Sequence, residues 1–220
     1  MSRDAGLGVE QVYAAATRNR LHLADLLDGL RAEQWEAPSL CAGWTVRHVA
    51  AHMLQHVFVG FGRFVVLALR HRGDTDATVD HIARRLARRE TAEIVVLLRQ
   101  HAGDRVDPPR VGPWGPFAET CVHLRDIARP LGLEDDVPVD DWAALLGYLT
   151  SGEAAASLAP PGRTAGLRFV ATDLDRGYGA GAEVAGPAEA LAMGLTGRTV
   201  ALEDLSGPGV EVLRARLTAG

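Results

Sequence analysis

The chain has 220 residues, of which 47% are hydrophobic and 23% charged, and its formal net charge is −5 at pH 7. This composition indicates a globular protein with an ample core, and the acidic balance argues against nucleic-acid binding. The sequence holds no apolar run long enough for a membrane span and does not start with a signal-peptide pattern, so we expect a cytoplasmic protein. The two cysteines, Cys41 and Cys121, are too few for a disulfide framework and should be reduced.

The N-terminal part of the chain has the apolar periodicity of amphipathic helices. A first helix is predicted over residues 9–30. Because Thr45 is a good N-cap, we expect a second helix over residues 45–72, which Gly73 would end. A third helix is predicted over residues 76–101, and the proline- and glycine-rich stretch after it should be a loop that leads to a fourth helix. These segments predict a four-helix bundle.

The pattern changes towards the C-terminus. Another helix is predicted over residues 142–149, and the segments LRFVATDL and GAEVAG then indicate two short strands with a glycine-rich turn between them. PAEALAMGLTG predicts a helix with Pro187 at its first position, and GPGVEVLRARL predicts a closing helix. The expected fold is therefore mainly α with a small α/β part: a four-helix bundle over residues 1–152 and a small α/β lobe over residues 160–220.

The stretch AETCVHLRDIARPLG carries the most informative spacing. Glu119 and His123 are four residues apart, so a helix places both on one face, where they could bind one metal ion. The best third ligand is His52, in the run CAGWTVRHVAAHML. Two histidines and a carboxylate suit Zn²⁺, Ni²⁺, Mn²⁺ or Fe²⁺ and leave positions open for a substrate. The alternative is an exposed glutamate followed by a half-buried histidine that bonds a backbone carbonyl.

Three segments resemble one known family. CAGWTVRHVAAHML is similar to the C-x-G-W-T-V-x-x-x-x-x-H-L segment of the mycothiol-dependent maleylpyruvate isomerase family, a branch of the DinB-like four-helix bundles. ETCVHLRDIARPLG resembles that family's E-x-x-x-H-x-x-D segment, and GPAEALAMGLTGR resembles its small C-terminal lobe, which ends in L-x-G-R. The three segments occur in the family's order and cover most of the chain.

The resemblance implies roles for five residues. The family's metal ligands fall on His52, Glu119 and His123, with zinc the preferred metal. Asp126 matches an aspartate that would orient a ligand histidine, although a surface ion pair with a nearby arginine is an open alternative. Arg198 matches an arginine implied to bind the anionic substrate or the thiol, with an exposed arginine after a helix end as the alternative.

The implied function is that of a metalloenzyme with mycothiol as cosubstrate. The metal would lower the pKa of the thiol, and the thiolate would attack a small electrophile, as in an S-transferase or a cis-trans isomerase. Hydrolysis by a metal-activated water is a rival activity. A non-catalytic metal-binding, sensor or partner module and a metal-free helical dimerisation domain are rivals from other classes. We expect a monomer or a homodimer.

Other residues of these segments are assigned less specific roles. His48 and His56 lie on the same helical face as His52, and we expect them to line the pocket or the edge of the core. Trp44 should mark a buried turn into the second helix. Cys41 matches a family cysteine, but its position suggests no role for it.

Overall fold

The computed structural model describes residues 7–109, 111–134, 137–152, 154, 156, 158–160 and 162–218. The α-helices are α1 Val9–Asp28, α2 Ala32–Trp35, α3 Val46–His52, α4 Gln55–Phe58, α5 Phe61–Arg70, α6 Thr75–Leu86, α7 Thr91–Gln100, α8 Trp114–Leu131, α9 Val139–Thr150, α10 Ala188–Leu195 and α11 Val210–Thr218. The strands are β1 Leu167–Ala171, β2 Arg176–Gly179 and β3 Ala182–Gly186, and a 3₁₀ helix spans Thr199–Asp204. Among the described residues, no helix has the length and apolarity needed to cross a membrane.

The prediction of one continuous helix over residues 45–72 is wrong. Thr45 does precede a helix, but α3 ends at His52, and the short α4 and the longer α5 follow it. The break between α4 and α5 lies at Val59 and Gly60, which are both extended, with φ/ψ of −130°/92° and −65°/159°. A β-branched residue followed by glycine is a weak helix former, so local propensity favours this break. His52 therefore lies at a helix end.

The predicted helix over residues 76–101 is also two helices, α6 and α7. Glu90, which precedes α7, is extended, with φ −63° and ψ 144°. The turn between the helices is held by a tertiary contact, because the Arg47 guanidinium donates to the Arg89 carbonyl at 3.1 Å. This contact joins residues 42 positions apart, so the local pattern of apolar residues does not reveal it.

The chain divides into two compact units. The helical unit comprises Tyr13–Pro108 and Glu119–Asp136, and the mixed unit comprises Met1–Val12, Pro109–Ala118 and Val137–Gly220. This division differs from the predicted domain boundary between residues 152 and 160, because α9 is grouped with the sheet. The outermost residues of the two predicted domains, 1–6 and 219–220, lie outside the described part of the chain.

The core of the helical unit is formed by apolar side chains from several of its helices. The most deeply buried large side chains are Leu23, Leu27, Leu54, Ile94, Leu124 and Ile127. Helix α8 is followed directly by Gly132, whose φ of +65° is a conformation that glycine adopts without strain. Leu133 then donates its backbone N–H to the Ala128 carbonyl at 3.0 Å, which is the 6→1 bond of a Schellman motif.

In the mixed unit, a three-stranded sheet has the strand order β2-β1-β3. The two predicted strands are confirmed as β1 and β3, which pair in parallel with Phe169 opposite Val184. The expected glycine-rich turn between them contains a further strand, β2, which pairs antiparallel with β1. The sequence does not predict β2, because its residues, RGYG, include two glycines and show no apolar alternation.

Helices α9 and α10 contact each other in the mixed unit, and α10 follows β3 directly. Pro187 is the residue before α10, not its first residue as predicted, and the Asp173 carboxylate accepts the N–H of Ala188 at 3.0 Å. This side chain provides the cap that proline cannot. The fold class that we expected, mainly α with a small α/β part, is confirmed.

Candidate metal centre

The three predicted metal ligands lie in the helical unit. His52 is the last residue of α3, and Glu119 and His123 are one turn apart on α8. The Nε2 atom of His52 is 3.8 Å from Oε1 of Glu119, and the rings of His52 and His123 are 5.1 Å apart at 88°. Two ligands of one tetrahedral metal lie roughly 3.3–3.6 Å apart. The His52–Glu119 distance is slightly longer than this range.

His52 has an unsatisfied imidazole. The residue is 8% exposed, its Nδ1 atom is buried without a hydrogen-bond partner among the residues that the structure describes, and the 3.8 Å from Nε2 to Glu119 is too long for a hydrogen bond. Buried polar groups in native proteins nearly always have a partner. The ring atom of His52 that faces Glu119 is Nε2, and a cation bound between this nitrogen and the Glu119 carboxylate would be its partner, so these residues fit a metal ion.

The carboxylate of Glu119 is ionised in this setting. Desolvation by the surrounding protein raises its pKa, but the neighbouring imidazoles of His52, His123 and His56 outweigh that effect, and the net pKa lies below its ordinary value. The side chain is 45% exposed, so a ligand can reach it. An ionised and reachable carboxylate is the form that binds a divalent cation.

Asp126 fixes the orientation of His123. Its Oδ2 atom is 2.9 Å from Nδ1 of His123, and its side chain is fully buried. A carboxylate accepts the N–H of Nδ1, which leaves Nε2 of the same ring as the nitrogen for a metal. The buried position also argues against the alternative that Asp126 forms an ion pair on the helix surface.

Cys41 belongs to this group, although the sequence suggested no role for it. Its Sγ atom is 3.2 Å from Oδ2 of Asp126 and 3.9 Å from Nδ1 of His123. Cys41, His123 and Asp126 form a group among the described residues whose ligand atoms all lie within 4.8 Å of one another, so these three could themselves hold a cation. In that arrangement His123 would use Nδ1, the nitrogen that already contacts Asp126.

The loop before α3 holds Cys41 and Trp44 in place. Leu40 donates its N–H to the Asp126 carbonyl at 3.1 Å, which ties the loop to α8. The Trp44 ring packs against the His52 ring with centroids 5.4 Å apart, and its Nε1–H donates to Asp80 at 2.8 Å. Trp44 therefore does more than mark a turn, since it contacts a candidate ligand.

The two other histidines of this region have different environments. The Nδ1 atom of His48 accepts the Thr45 N–H at 3.2 Å, which caps the start of α3. Burial, together with Arg84, lowers the pKa of His48. Burial also lowers the pKa of His56 to about 4, and its Nε2 atom is 3.9 Å from Oδ2 of Asp104. Both histidines are therefore neutral at pH 7.

A buried arginine beside the site was not predicted. Arg20 is 4% exposed and donates to the carbonyls of Ala102 and Asp104 at 3.0 and 2.9 Å. Burial lowers its pKa, and the negative charges of Glu119 and Asp104 oppose that shift. The periodicity of α1 could have revealed it, because Arg20 lies four residues after the buried Ala16.

Arg198 lies in the mixed unit. It directly precedes the 3₁₀ helix Thr199–Asp204, and its guanidinium donates to the Thr196 carbonyl at 2.7 Å. Its predicted role in binding an anion stays a prediction. Trp114, at the start of α8, stacks on Tyr148 within the same unit, with ring centroids 4.9 Å apart.

Residues 16–120 match the family model of the mycothiol maleylpyruvate isomerase N-terminal domain. The resemblance to this family is confirmed. Two crystal structures of mycothiol-dependent maleylpyruvate isomerase, one of them of a mutant, have a similar fold. The mutant aligns with a TM-score of 0.61 at 15% identity and the other structure with 0.59 at 16%, each over 92% of this chain and 93% of the other. No curated protein sequence matches the chain.

Proposed function

We propose that this chain is a metal- and mycothiol-dependent enzyme of the maleylpyruvate isomerase type. The family match supports this type of function, and the observation that carries the metal is the buried His52, whose Nε2 faces the Glu119 carboxylate at 3.8 Å, too far for a hydrogen bond, with the His123 ring alongside. His52, Glu119 and His123 would hold a divalent cation, with zinc preferred because it accepts two imidazoles and a carboxylate.

When bound, the cation would lower the pKa of a thiol that reaches it, so that a thiolate is available at neutral pH. The protein's own residues do the positioning. Asp126 holds the His123 ring through Nδ1, and the Cys41 thiol donates to the same carboxylate, so the imidazole is fixed before any ligand arrives. Trp44 packs on the His52 ring and limits its rotation.

Cys41 is better assigned as support for Asp126 than as a metal ligand. Its 3.2 Å contact with Oδ2 is a normal distance for a thiol that donates to a carboxylate. A cation held by Cys41, Asp126 and Nδ1 of His123 would have to replace the hydrogen bond between Asp126 and His123, and it would leave His52 without a partner. Binding by His52, Glu119 and Nε2 of His123 keeps that bond and satisfies His52.

The electrophile would be a small anionic molecule if Arg198 has the role that the family pattern implies. A guanidinium can bind a carboxylate with two parallel hydrogen bonds, which a lysine cannot do. We expect Arg198→Lys to raise KM for an anionic electrophile more than it lowers kcat, while the metal content stays unchanged. An equal effect on a neutral electrophile would show that Arg198 does not recognise charge.

The test of the proposed function is metal analysis combined with a thiol-conjugation screen. The purified protein should contain about one equivalent of a divalent metal, and it should consume mycothiol, or catalyse cis-trans isomerisation in its presence, with at least one electrophile of a panel that includes maleylpyruvate. His71→Ala is the matched control, because it removes a histidine outside the site. A metal-loaded protein without any thiol-dependent turnover would favour the non-catalytic metal-binding module, and a protein without metal would overturn the assignment.

A further inference from the structure

A cleft of about 440 Å³ lies elsewhere in the helical unit, between α4, α5, α6 and the start of α7. None of the candidate metal ligands lines it. Its volume is in the range of sites that bind small organic molecules. We call it the arginine cleft after Arg63, Arg85, Arg88 and Arg89, which line it.

The floor of the arginine cleft is apolar. Leu67, Ile82 and Leu86 line it and are at most 8% exposed, and Phe58 provides an aromatic wall. When the apolar part of a ligand covers such a surface, the free energy falls by roughly 25 cal/mol for each Å² of apolar surface removed from water. The floor therefore favours a ligand with a hydrocarbon or aromatic body.

The rim of the arginine cleft carries unpaired positive charge. Within the part of the chain that the structure describes, Arg63, Arg85 and Arg88 have no hydrogen bond or ion pair. Other arginines on the surface of this unit do pair: Arg84 binds Asp80 at 2.8 Å, and Arg99 binds Asp25 at 2.8 Å. Three unpaired guanidinium groups thus line one cleft together with an apolar floor.

Arg89 is held in place at the edge of the cleft. Its guanidinium lies 4.2 Å from the centroid of the Phe58 ring, and NH1 donates to Glu93 at 2.7 Å. Its Nε atom is buried and has no hydrogen-bond partner among the described residues. Two carboxylates, Glu90 and Glu93, also line the cleft. Four guanidinium groups against two carboxylates leave a net positive charge, and one of the carboxylates is already paired with Arg89.

We propose that the arginine cleft binds an organic anion of metabolite size. The arginines bind its carboxylate or phosphate head, and the apolar floor covers its hydrocarbon body. Guanidinium groups suit both heads, because they donate paired hydrogen bonds to planar or tetrahedral oxyanions. This site is separate from the candidate metal centre and does not depend on the proposed function.

Isothermal titration calorimetry with octanoate, octyl phosphate and octanol tests the head group. We expect saturable binding of at least one anion and little binding of octanol, because the neutral alcohol makes no charge-assisted contact. Binding of the anion should weaken at high salt. Butanoate tests the floor: affinity should fall by about fourfold for each methylene removed while the chain still lies within the cleft.

The double variant Arg85→Gln, Arg88→Gln tests whether the anion binds in the arginine cleft. It should lower the affinity for the anion by about tenfold or more. Both side chains are exposed and unpaired, so the variant should keep its circular dichroism spectrum and melting temperature. Arg70→Gln, which removes an exposed arginine of α5 outside the cleft, is the matched control and should keep the affinity of the unmodified protein.

A further variant separates the cleft from the metal centre, since carboxylates also bind metal ions. Glu119→Ala should leave octanoate binding unchanged. The proposal is overturned if neither anion binds saturably, if octanol binds as tightly as octanoate, or if the double variant and the Arg70→Gln control bind alike. A loss of octanoate binding in Glu119→Ala, with no loss in the double variant, would assign the anion to the metal centre instead.

Discussion

The two candidate imidazole ligands are held in different ways. His123 on α8 is fixed by hydrogen bonding, because its Nδ1 contacts the buried Asp126, which in turn contacts Cys41. His52 at the end of α3 has no such partner and is held by packing against Trp44. One ring is therefore oriented before a metal arrives, whereas the Nε2 atom of the other ring faces Glu119 at 3.8 Å, too far for a hydrogen bond, and is open to a metal. We infer that His123 defines the position of the cation and that His52 closes the site.

The largest effect should come from removing either imidazole. His52→Ala or His123→Ala should abolish metal binding, because imidazole is a favoured ligand of Zn²⁺, and Glu119→Ala, which keeps both imidazoles, should weaken it. Inductively coupled plasma mass spectrometry after dialysis measures the metal content, with His71→Ala as control. If both histidine variants kept a full equivalent of metal, the ligand assignment would be wrong.

Asp126→Asn tests the hydrogen-bonded side of the comparison. The amide has nearly the shape of the carboxylate but is a weaker acceptor for the Nδ1–H of His123. Metal affinity should fall by about 10- to 100-fold, as is typical when the partner of a ligand histidine is lost. Competition with a chromophoric chelator measures the affinity. Unchanged affinity would show that packing alone orients His123.

The sequence identifies Glu119 and His123 as candidate ligands because they lie in regular helical spacing. Glu119 and His123 are separated by one turn, and apolar periodicity identifies α1, α8, β1 and β3 because those segments have one buried face. Recognition of the family pattern supported His52, which the histidine spacing had already indicated, and added Asp126. These features are local, so a single sequence contains them.

The remainder of the site depends on contacts between distant segments. Cys41 contacts Asp126, which lies 85 positions later in the sequence, and Arg20 contacts the carbonyl of Asp104, which lies 84 positions later. No local pattern encodes such distances. The break between α6 and α7 is not visible in the sequence for the same reason, since apolar residues continue in phase across it while the contact of Arg47 with the Arg89 carbonyl stabilises the turn.

His56, in α4, makes the stability of the protein depend on pH. Its pKa is about 4 in the folded protein because burial, together with the charge of Arg20, disfavours protonation, against 6.5 for an ordinary histidine. Below about pH 6.5 the unfolded chain binds a proton that the folded protein does not bind, so this contribution to stability is complete above pH 6.5 and is lost as the pH falls towards 4.

We therefore expect the free energy of unfolding to fall between pH 7 and pH 5 by about 2 kcal/mol more in the native protein than in the His56→Gln variant. Urea unfolding with a chelator present measures this difference, because the chelator removes the pH dependence of metal binding. Parallel pH profiles for the two proteins would contradict the assignment of a neutral buried His56.

Trp44→Leu tests whether packing orients His52. The leucine keeps an apolar contact but removes the ring that lies 5.4 Å from the imidazole. Ring contacts of this kind contribute about 0.5–1.5 kcal/mol, so metal affinity should fall by about two- to tenfold. Asp80→Ala is the control, because it removes the acceptor of the Trp44 N–H while it keeps the ring. An effect of Asp80→Ala as large as that of Trp44→Leu would mean that the hydrogen bond, not the ring contact, is the important interaction.

Cys41→Ala should have the smallest effect and separates the two possible ligand groups. If Cys41 only supports Asp126, the carboxylate still binds His123 after the thiol is gone, and metal affinity should change by less than about threefold, because a thiol is a weak hydrogen-bond donor. If Cys41 is itself a ligand, the same change should abolish binding, as His123→Ala does. Cobalt substitution gives a second measurement, because a thiolate ligand produces a sulfur-to-metal charge-transfer band that imidazole and carboxylate ligands do not. Absence of that band in the unmodified protein, together with a metal affinity that survives Cys41→Ala, would leave His52, Glu119 and His123 as the ligands and Cys41 as a residue that acts through Asp126.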